Sequence, residues 1–380
     1  MKDEKKAPKL RFKGFIDDWE QRKLGDVAKI TAGGDINKGD LINKGKYPVI
    51  ANGLNNNGIV GYSNKYKIDA PAVTITGRGT LGVATARFIN FTPIVRLISI
   101  KSDLDPIYLE NVINNTHFVI ESTGVPQLTA PQVKRQTVIL SNCHIEQTKI
   151  GSLFLTLDNA ITLHEEKKHQ LERLKSALLQ KMFTDKSGDP DVRFKGFDER
   201  WERHVLNDLA IFNPKCTLPT SFEYVDLGSV IGVEMISHKT ISKFDAPSRA
   251  QRLAQVGDLF YQTVRPYQQN NYLFDNKDNA YVFSTGYAQL RPLIDGYFLL
   301  CLVQTKSFVR KVMNACTGTS YPAINSQDLA QIRVNIPINS KEQRLIGNLY
   351  KVIDNLVTLY QRKLDDLNTI KQSLLQKMFI

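Results

Sequence analysis

Glu146 to Phe183 reads EQTKIGSLFLTLDNAITLHEEKKHQLERLKSALLQKMF, and Glu342 to Phe379 reads EQRLIGNLYKVIDNLVTLYQRKLDDLNTIKQSLLQKMF. About half of the paired positions are identical, so the chain carries a duplicated element. Neither copy contains proline, and both are rich in Leu, Lys, Gln and Glu with apolar residues three and four apart, which predicts two long helices. In the second copy Ile346, Leu349, Ile353, Leu356 and Tyr360 form one stripe, resumed by Leu364, Leu367, Ile370 and Leu374. The first repeats it with Ile150, Leu153, Leu157, Ala160, Leu171, Leu174, Leu178 and Met182, around a polar middle at His164 and Lys168. A helix of this length is a rod of roughly 57 Å, more than one small domain covers. The two rods are therefore expected to pair as a coiled coil, and because repeated units tend to pair about a two-fold axis, to pair antiparallel.

A second pair of blocks opens the two copies. Arg11 to Trp19 reads RFKGFIDDW and Arg193 to Trp201 reads RFKGFDERW; these hold the two tryptophans of the chain. Leu24, Asp26 and Ala28 then match Leu206, Asp208 and Ala210. The stretches between the matched blocks hardly resemble each other, so each copy is a constant frame around a variable insert. Just upstream of each predicted helix, Thr123 to Gln132 (TGVPQLTAPQ) matches Thr319 to Asp328 (TSYPAINSQD). Thr129 with Gln132 has capping-box spacing and Asn325 is a good N-cap, so a short helix is expected in each place, followed by a strand at Thr137–Leu140 and at Ile332–Ile336. Runs such as Val73 to Thr76 and Val282 to Ser284, set between Gly, Asn and Asp turns, make the inserts β-rich. Lys186 to Pro190 (KSGDP) reads as the linker between the halves. The expected organisation is an α+β chain in pseudo-two-fold arrangement, with a first β-rich domain over 1–145, a linking helix and linker over 146–188, a second domain over 189–341 and a closing helix over 342–380.

The chain has 380 residues with a formal net charge of +12. No stretch approaches the ~20 apolar residues of a membrane span, and the charged start MKDEKKAPK lacks the apolar run of a signal peptide, so a cytoplasmic protein with no membrane partner is expected. Cys143, Cys216, Cys301 and Cys316 are scattered, without metal or disulfide spacing, and the six histidines show no metal spacing. Residues 1–145 carry 20 Lys/Arg against 13 Asp/Glu, a net +7, whereas residues 184–341 carry 18 against 16, a net +2. Such charge permits phosphate attraction without proving it.

Gly77 to Gly82 (GRGTLG) fits GxGxxG, but the following VATARFINF is β-branched and aromatic and predicts a returning strand, where a dinucleotide site needs a helix. A hairpin carrying Arg78 at its tip, with Thr80 beside it, is the better reading; an arginine there can fork onto O6 and N7 of guanine. The amide-rich loops Asn52, Asn55 and Asn57 in the first insert, and Arg265, Tyr267, Gln268 and Asn271 in the second, have the chemistry to read base edges. Gln127 and Tyr321, in the matched element before the short helices, complete the candidate set. No Walker loop, HExxH or Asn/Asp-Pro-Pro-aromatic motif occurs, and the ExK at Glu165 to Lys167 falls on a predicted solvated helix face. The chain reads as a recognition protein and not as an enzyme.

The paired RFKGF…W…LGD frame, the TGVPQLTAPQV and TSYPAINSQDL elements, and the EQ…IG…LD…LLQKMF helices together resemble the DNA specificity subunit of type I restriction-modification systems, over the whole chain. Prolines often seen before EQ in that family are thinned here to Ser141-Asn142-Cys143-His144 and Pro337-Ile338-Asn339-Ser340. The resemblance implies two target-recognition domains that each read half of a bipartite asymmetric site on double-stranded DNA, joined by helices that fix the spacing. It implies partners too: two adenine-N6 methyltransferase subunits, which would carry S-adenosylmethionine, and motor-nuclease restriction subunits. A dimer-like regulator with two unlike readers, or a stand-alone methyltransferase or nuclease, are the alternatives; catalytic motifs would mark the latter.

Overall fold

The computed structural model describes residues 7–118, 126–184, 189–277, 279–318 and 320–380. The matched residues Thr123 to Val125 and Thr319, and residues 186–188 of the expected linker, lie outside them. The chain divides into two compact units, one of residues 1–165 with 362–380, the other of residues 166–361. Both divisions fall inside the long helices, so neither helix stands as a domain of its own.

In the first unit the core lies between a four-stranded antiparallel sheet and the helix Pro106–Asn114. The sheet order is Ala28–Ala32, Ile98–Ser102, Ala72–Ile75, Ala84–Arg87. Ile30, Val73, Ile75, Ala84, Ile98 and Ile100 meet Tyr108, Leu109, Val112 and Ile113 of the helix in one cluster. Asp105 caps that helix, its Oδ1 accepting from the backbone N–H groups of Ile107 (3.1 Å) and Tyr108 (2.9 Å). A smaller sheet places Tyr47–Ile50 between Ile59–Ser63 and Thr92–Pro93, with the latter parallel. The expected short helix is Ala130–Arg135, with the N–H of Thr129 donating to Gln132 Oε1 at 2.9 Å. The strand Thr137–Leu140 follows and pairs with Glu20–Lys23.

The second unit repeats this plan from an unlike sequence. Its central sheet runs Ala210–Phe212, Tyr287–Pro292, Leu259–Gln262, Tyr272–Leu273, packed on the helix Gly296–Gln304. A second sheet again holds a parallel pair, Ser221–Val225 with Tyr281–Ser284. Asn325 caps Ser326–Ala330 as expected, its Oδ1 accepting from Asp328 N–H at 2.8 Å, and Arg333–Ile336 pairs with Glu202–Val205. The additions are the helix Lys306–Ala315, the hairpin Val230–Ile231 with Glu234–Met235, and the strand Ala250–Leu253. Between the sheets Phe260 stacks on Phe283 at 3.6 Å, enclosed by Phe274, Tyr281 and Tyr287.

The long helices span His144–Lys181 and Ser340–Met378. Within the first unit Lys371 bonds Asp158; within the second, Lys168 bonds Gln361 at 2.7 Å and Lys175 pairs with Asp354. Partner numbers fall as helix numbers rise, which is the antiparallel direction. The frame residues explain themselves at the helix starts. Glu146 is fully buried and accepts from Arg11 Nε (2.7 Å) and Nη2 (2.9 Å), and from Trp19 Nε1 (3.1 Å). Burial alone would raise its pKa, but the bonds from Arg11, Ser141 and Trp19 outweigh it and hold the carboxyl below its ordinary range. Glu342 repeats the fork with Arg193 at 2.7 and 2.8 Å. The next residue, Gln147 or Gln343, donates to the carbonyl of Ser141 or Pro337 and accepts from the N–H of Asp105 or Asp295. Gly151 and Gly347 follow because a Cβ at either would collide with Oδ1 of that same aspartate.

The helix ends cross over. Phe379, closing the second copy, packs on Trp19, Tyr108 and Phe154 of the first unit at 5.7 to 6.2 Å between ring centres. Phe183, closing the first copy, packs on Trp201, Phe298 and Tyr350 of the second at 5.4 to 6.1 Å. Among the described residues no helix is long and apolar enough to cross a membrane.

Candidate nucleic-acid interface

Two loops that look unrelated in sequence occupy the same place in the two units. The loop carrying Arg78 joins Ala72–Ile75 to Ala84–Arg87, and the loop carrying Arg265 joins Leu259–Gln262 to Tyr272–Leu273, the third and fourth strands of equivalent sheets. Each is tied to the segment ahead of the short helix. The N–H of Leu128 donates to Gly77 O, and that of Ile324 donates to Thr263 O, both at 3.0 Å. The antiparallel return of Ala84–Arg87 leaves Gly77 to Gly82 without a following helix, so this loop does not fit a dinucleotide or similar cofactor.

In the first unit Arg78, Gly79 and Thr80 are exposed at the tip, and no bond to the Arg78 side chain exists among the described residues. Asn52 departs from its expected role of touching bases. Its Oδ1 accepts from Gly77 N–H at 2.7 Å and its Nδ2 donates to Val95 O at 2.6 Å, so the amide is occupied in holding two loops together. Asn55 and Asn57 stay exposed, Asn57 with φ +52°. Gln127 Oε1 accepts from Arg96 Nη1 at 3.1 Å. Arg96 is not among the residues the sequence singles out. In the structure Val95 and Arg96 lie at φ +52° and +63° and turn the chain between Thr92–Pro93 and Ile98–Ser102.

In the second unit Arg265 has φ +54°, and its guanidinium carbon lies 4.4 Å from the ring centre of Tyr321. Tyr321 is 65% exposed and Tyr267 50%. Asn271 is corrected in the same way as Asn52: it is buried, and its Oδ1 accepts from Gln262 N–H at 2.8 Å. Gln268 Oε1 accepts from Gln262 Nε2 at 2.9 Å, leaving the rest of its exposed side chain outward. Gln269, at φ +57°, was not singled out by sequence; its Nε2 donates to Gln304 O. Left-handed residues other than glycine thus gather at this edge in both units, which is where backbone strain tends to be kept for function. No cluster of metal-ligating side chains exists among the described residues.

Comparison with known proteins agrees with this architecture. Residues 16–173 and 229–369 match the type I restriction modification DNA specificity domain. The chain belongs to that family. It is 22% identical to the type I restriction enzyme EcoDI specificity subunit of Escherichia coli, over 95% of this chain and 88% of that one. A Mycoplasma pneumoniae protein, provisionally named as a type I specificity subunit, is 29% identical over 34% of this chain and only 38% of its own length. The crystal structure of a type I restriction-modification S subunit from M. genitalium shares the fold, with a TM-score of 0.72 at 16% identity over 98% of this chain and 99% of that one.

Proposed function

We propose that this chain is the sequence-reading, non-catalytic subunit of a type I restriction-modification assembly, in which each unit reads one half of a bipartite, asymmetric site on double-stranded DNA. The observation that carries this reading is the equivalence of the two loop edges: one fold, used twice, presents unlike side chains at the same place. Two unlike readers in one chain suit an asymmetric site, whereas a regulator built from identical chains would present two like ones. In the first unit Asn55, Asn57, Arg78, Thr80 and Gln127 face the duplex; in the second Arg265, Tyr267, Gln268 and Tyr321 do. Asn52 and Asn271 serve as scaffold. The long helices dock two adenine-N6 methyltransferase subunits, which bring S-adenosylmethionine, and motor-nuclease subunits join for cleavage, all in the cytoplasm. The test is methyl transfer from labelled S-adenosylmethionine to genomic DNA. The purified chain alone should transfer none, and the chain with methyltransferase subunits should methylate one bipartite sequence. Transfer by the isolated chain, or methylation of a single uninterrupted motif, contradicts the proposal.

A further inference from the structure

Arg96 and Arg265 share a set of properties that the other arginines at these edges lack. Both occupy the left-handed region, where a turn is made at least cost by glycine or asparagine, so their presence there is not explained by the turn. Both backbones are pinned: Arg96 N–H donates to Gly33 O at 2.9 Å, and Arg265 N–H to Pro322 O at 2.7 Å. Among the described residues neither guanidinium meets a carboxylate, whereas Arg11, Arg193 and Arg291 are each forked onto one. Each is instead held by a neutral side chain from the segment before the short helix, Arg96 by Gln127 and Arg265 by the face of Tyr321.

A guanidinium has five donors, so these neutral contacts orient the group without using up its hydrogen-bonding edge. Around Arg265 the polar surroundings are also incomplete. Among the described residues Gln262 Oε1, Arg265 Nε and Asn271 Nδ2 are buried and without a partner, three such atoms within ten residues of chain. Buried polar groups are ordinarily satisfied, so unsatisfied ones beside an oriented cation leave bonds that a water or a polar ligand can complete. On duplex DNA the matching edge is guanine, whose O6 and N7 both accept in the major groove.

We infer that Arg265, stacked on Tyr321, and Arg96, bonded to Gln127, are the base-reading arginines of the two units, each forking onto a guanine in its own half-site. The inference rests on the proposed function and names the residues that carry it. Arg78, free at an exposed tip, has no such pre-set orientation.

The test uses the full chain with its methyltransferase subunits, and scores methylation over a library of duplexes randomised in both half-sites. Arg265→Lys keeps the charge and the aliphatic stem but loses the fork; it should reduce discrimination at one base pair of one half-site by about tenfold or more and leave the other half-site unchanged. Arg96→Lys should do the same at one base pair of the opposite half-site. Tyr321→Phe retains the ring face and should keep specificity, whereas Tyr321→Ala, at an exposed side chain whose loss does not threaten folding, should relax the same base pair as Arg265→Lys. A loss spread evenly over all sequences with a shallower salt dependence would make these arginines phosphate contacts and overturn the inference. So would unchanged preference at every position. If the unaltered assembly selects no sequence at all, the proposed function itself falls.

Discussion

The two units reach one topology by two kinds of sequence. Where the frame is repeated, the main contacts are repeated: Arg11 on Glu146 and Arg193 on Glu342, Gln147 and Gln343 bridging to Asp105 and Asp295, Phe379 on Trp19 and Phe183 on Trp201. Where the inserts differ, only the backbone plan survives. The first unit builds its loop edge on Gly77, where a Cβ would lie 2.8 Å from Leu128 O, while the second has Thr263 in the equivalent place with its hydroxyl bonded to Gly286 O. The difference teaches that the sheet and capped helix are specified by burial pattern and frame, while the loop side chains are free to vary. Two separate readers, as proposed here, would need that division.

The comparison is broken most severely at the buried carboxylates. Removing Glu146 or Glu342 by substitution with alanine leaves a guanidinium unpaired, which should cost about 3–5 kcal/mol, measured by denaturant unfolding. Glu146→Ala should be the worse of the two, since Glu146 also binds Trp19 and Ser141, whereas among the described residues Trp201 Nε1 has no partner. Because the Glu146 carboxyl is depressed in the folded state, its stabilisation is complete above the unfolded value near 4.3 and is lost as pH falls through the folded one. Acid unfolding followed by tryptophan fluorescence should therefore run less steeply with falling pH in Glu146→Ala than in the unaltered chain, and from equal starting stability should begin at lower pH.

A comparable loss, about 3–5 kcal/mol, is expected from Phe379→Ala and from Phe183→Ala. The informative part is where it appears. With one tryptophan per unit, Phe379→Ala should perturb the emission of Trp19 and Phe183→Ala that of Trp201, read in variants retaining one tryptophan at a time. The reverse assignment would contradict the crossed helix ends.

Much of this was legible beforehand. The duplicated frame, both long helices, the Thr129 and Asn325 caps and the strand Thr137–Leu140 follow from local rules of period and capping that hold whatever surrounds them. The common plan of the inserts was not legible, because equivalent strands share burial and not residues: Ala72–Ile75 is AVTI where Leu259–Gln262 is LFYQ. The candidate site is read from sequence by residue type, which proposes Arg78, Arg265 and Tyr321 but does not tell an outward amide from one spent on the scaffold. Asn52 and Asn271 are of the second kind. Arg96 is not among the sequence candidates, because a left-handed arginine leaves no trace in sequence.

A smaller effect sharpens the likeness of the frames. Gly151→Ala and Gly347→Ala should each destabilise the chain by about 1–3 kcal/mol, by pressing a methyl group on the capping aspartate, and the two values should agree closely. Pairing Gly151→Ala with Asp105→Ala should cost less than the two separate losses together, since the clash goes with the carboxylate.

The most direct measurement of the central claim is an exchange of residues 30–122 for the corresponding insert of another member of the family, with methylated adenines mapped across the genome of a cell expressing the hybrid and its methyltransferase subunits. If the units are equivalent frames bearing separate readers, one half-site changes to that of the donor and the other remains as it was. A change in both half-sites, or in neither, would contradict the account.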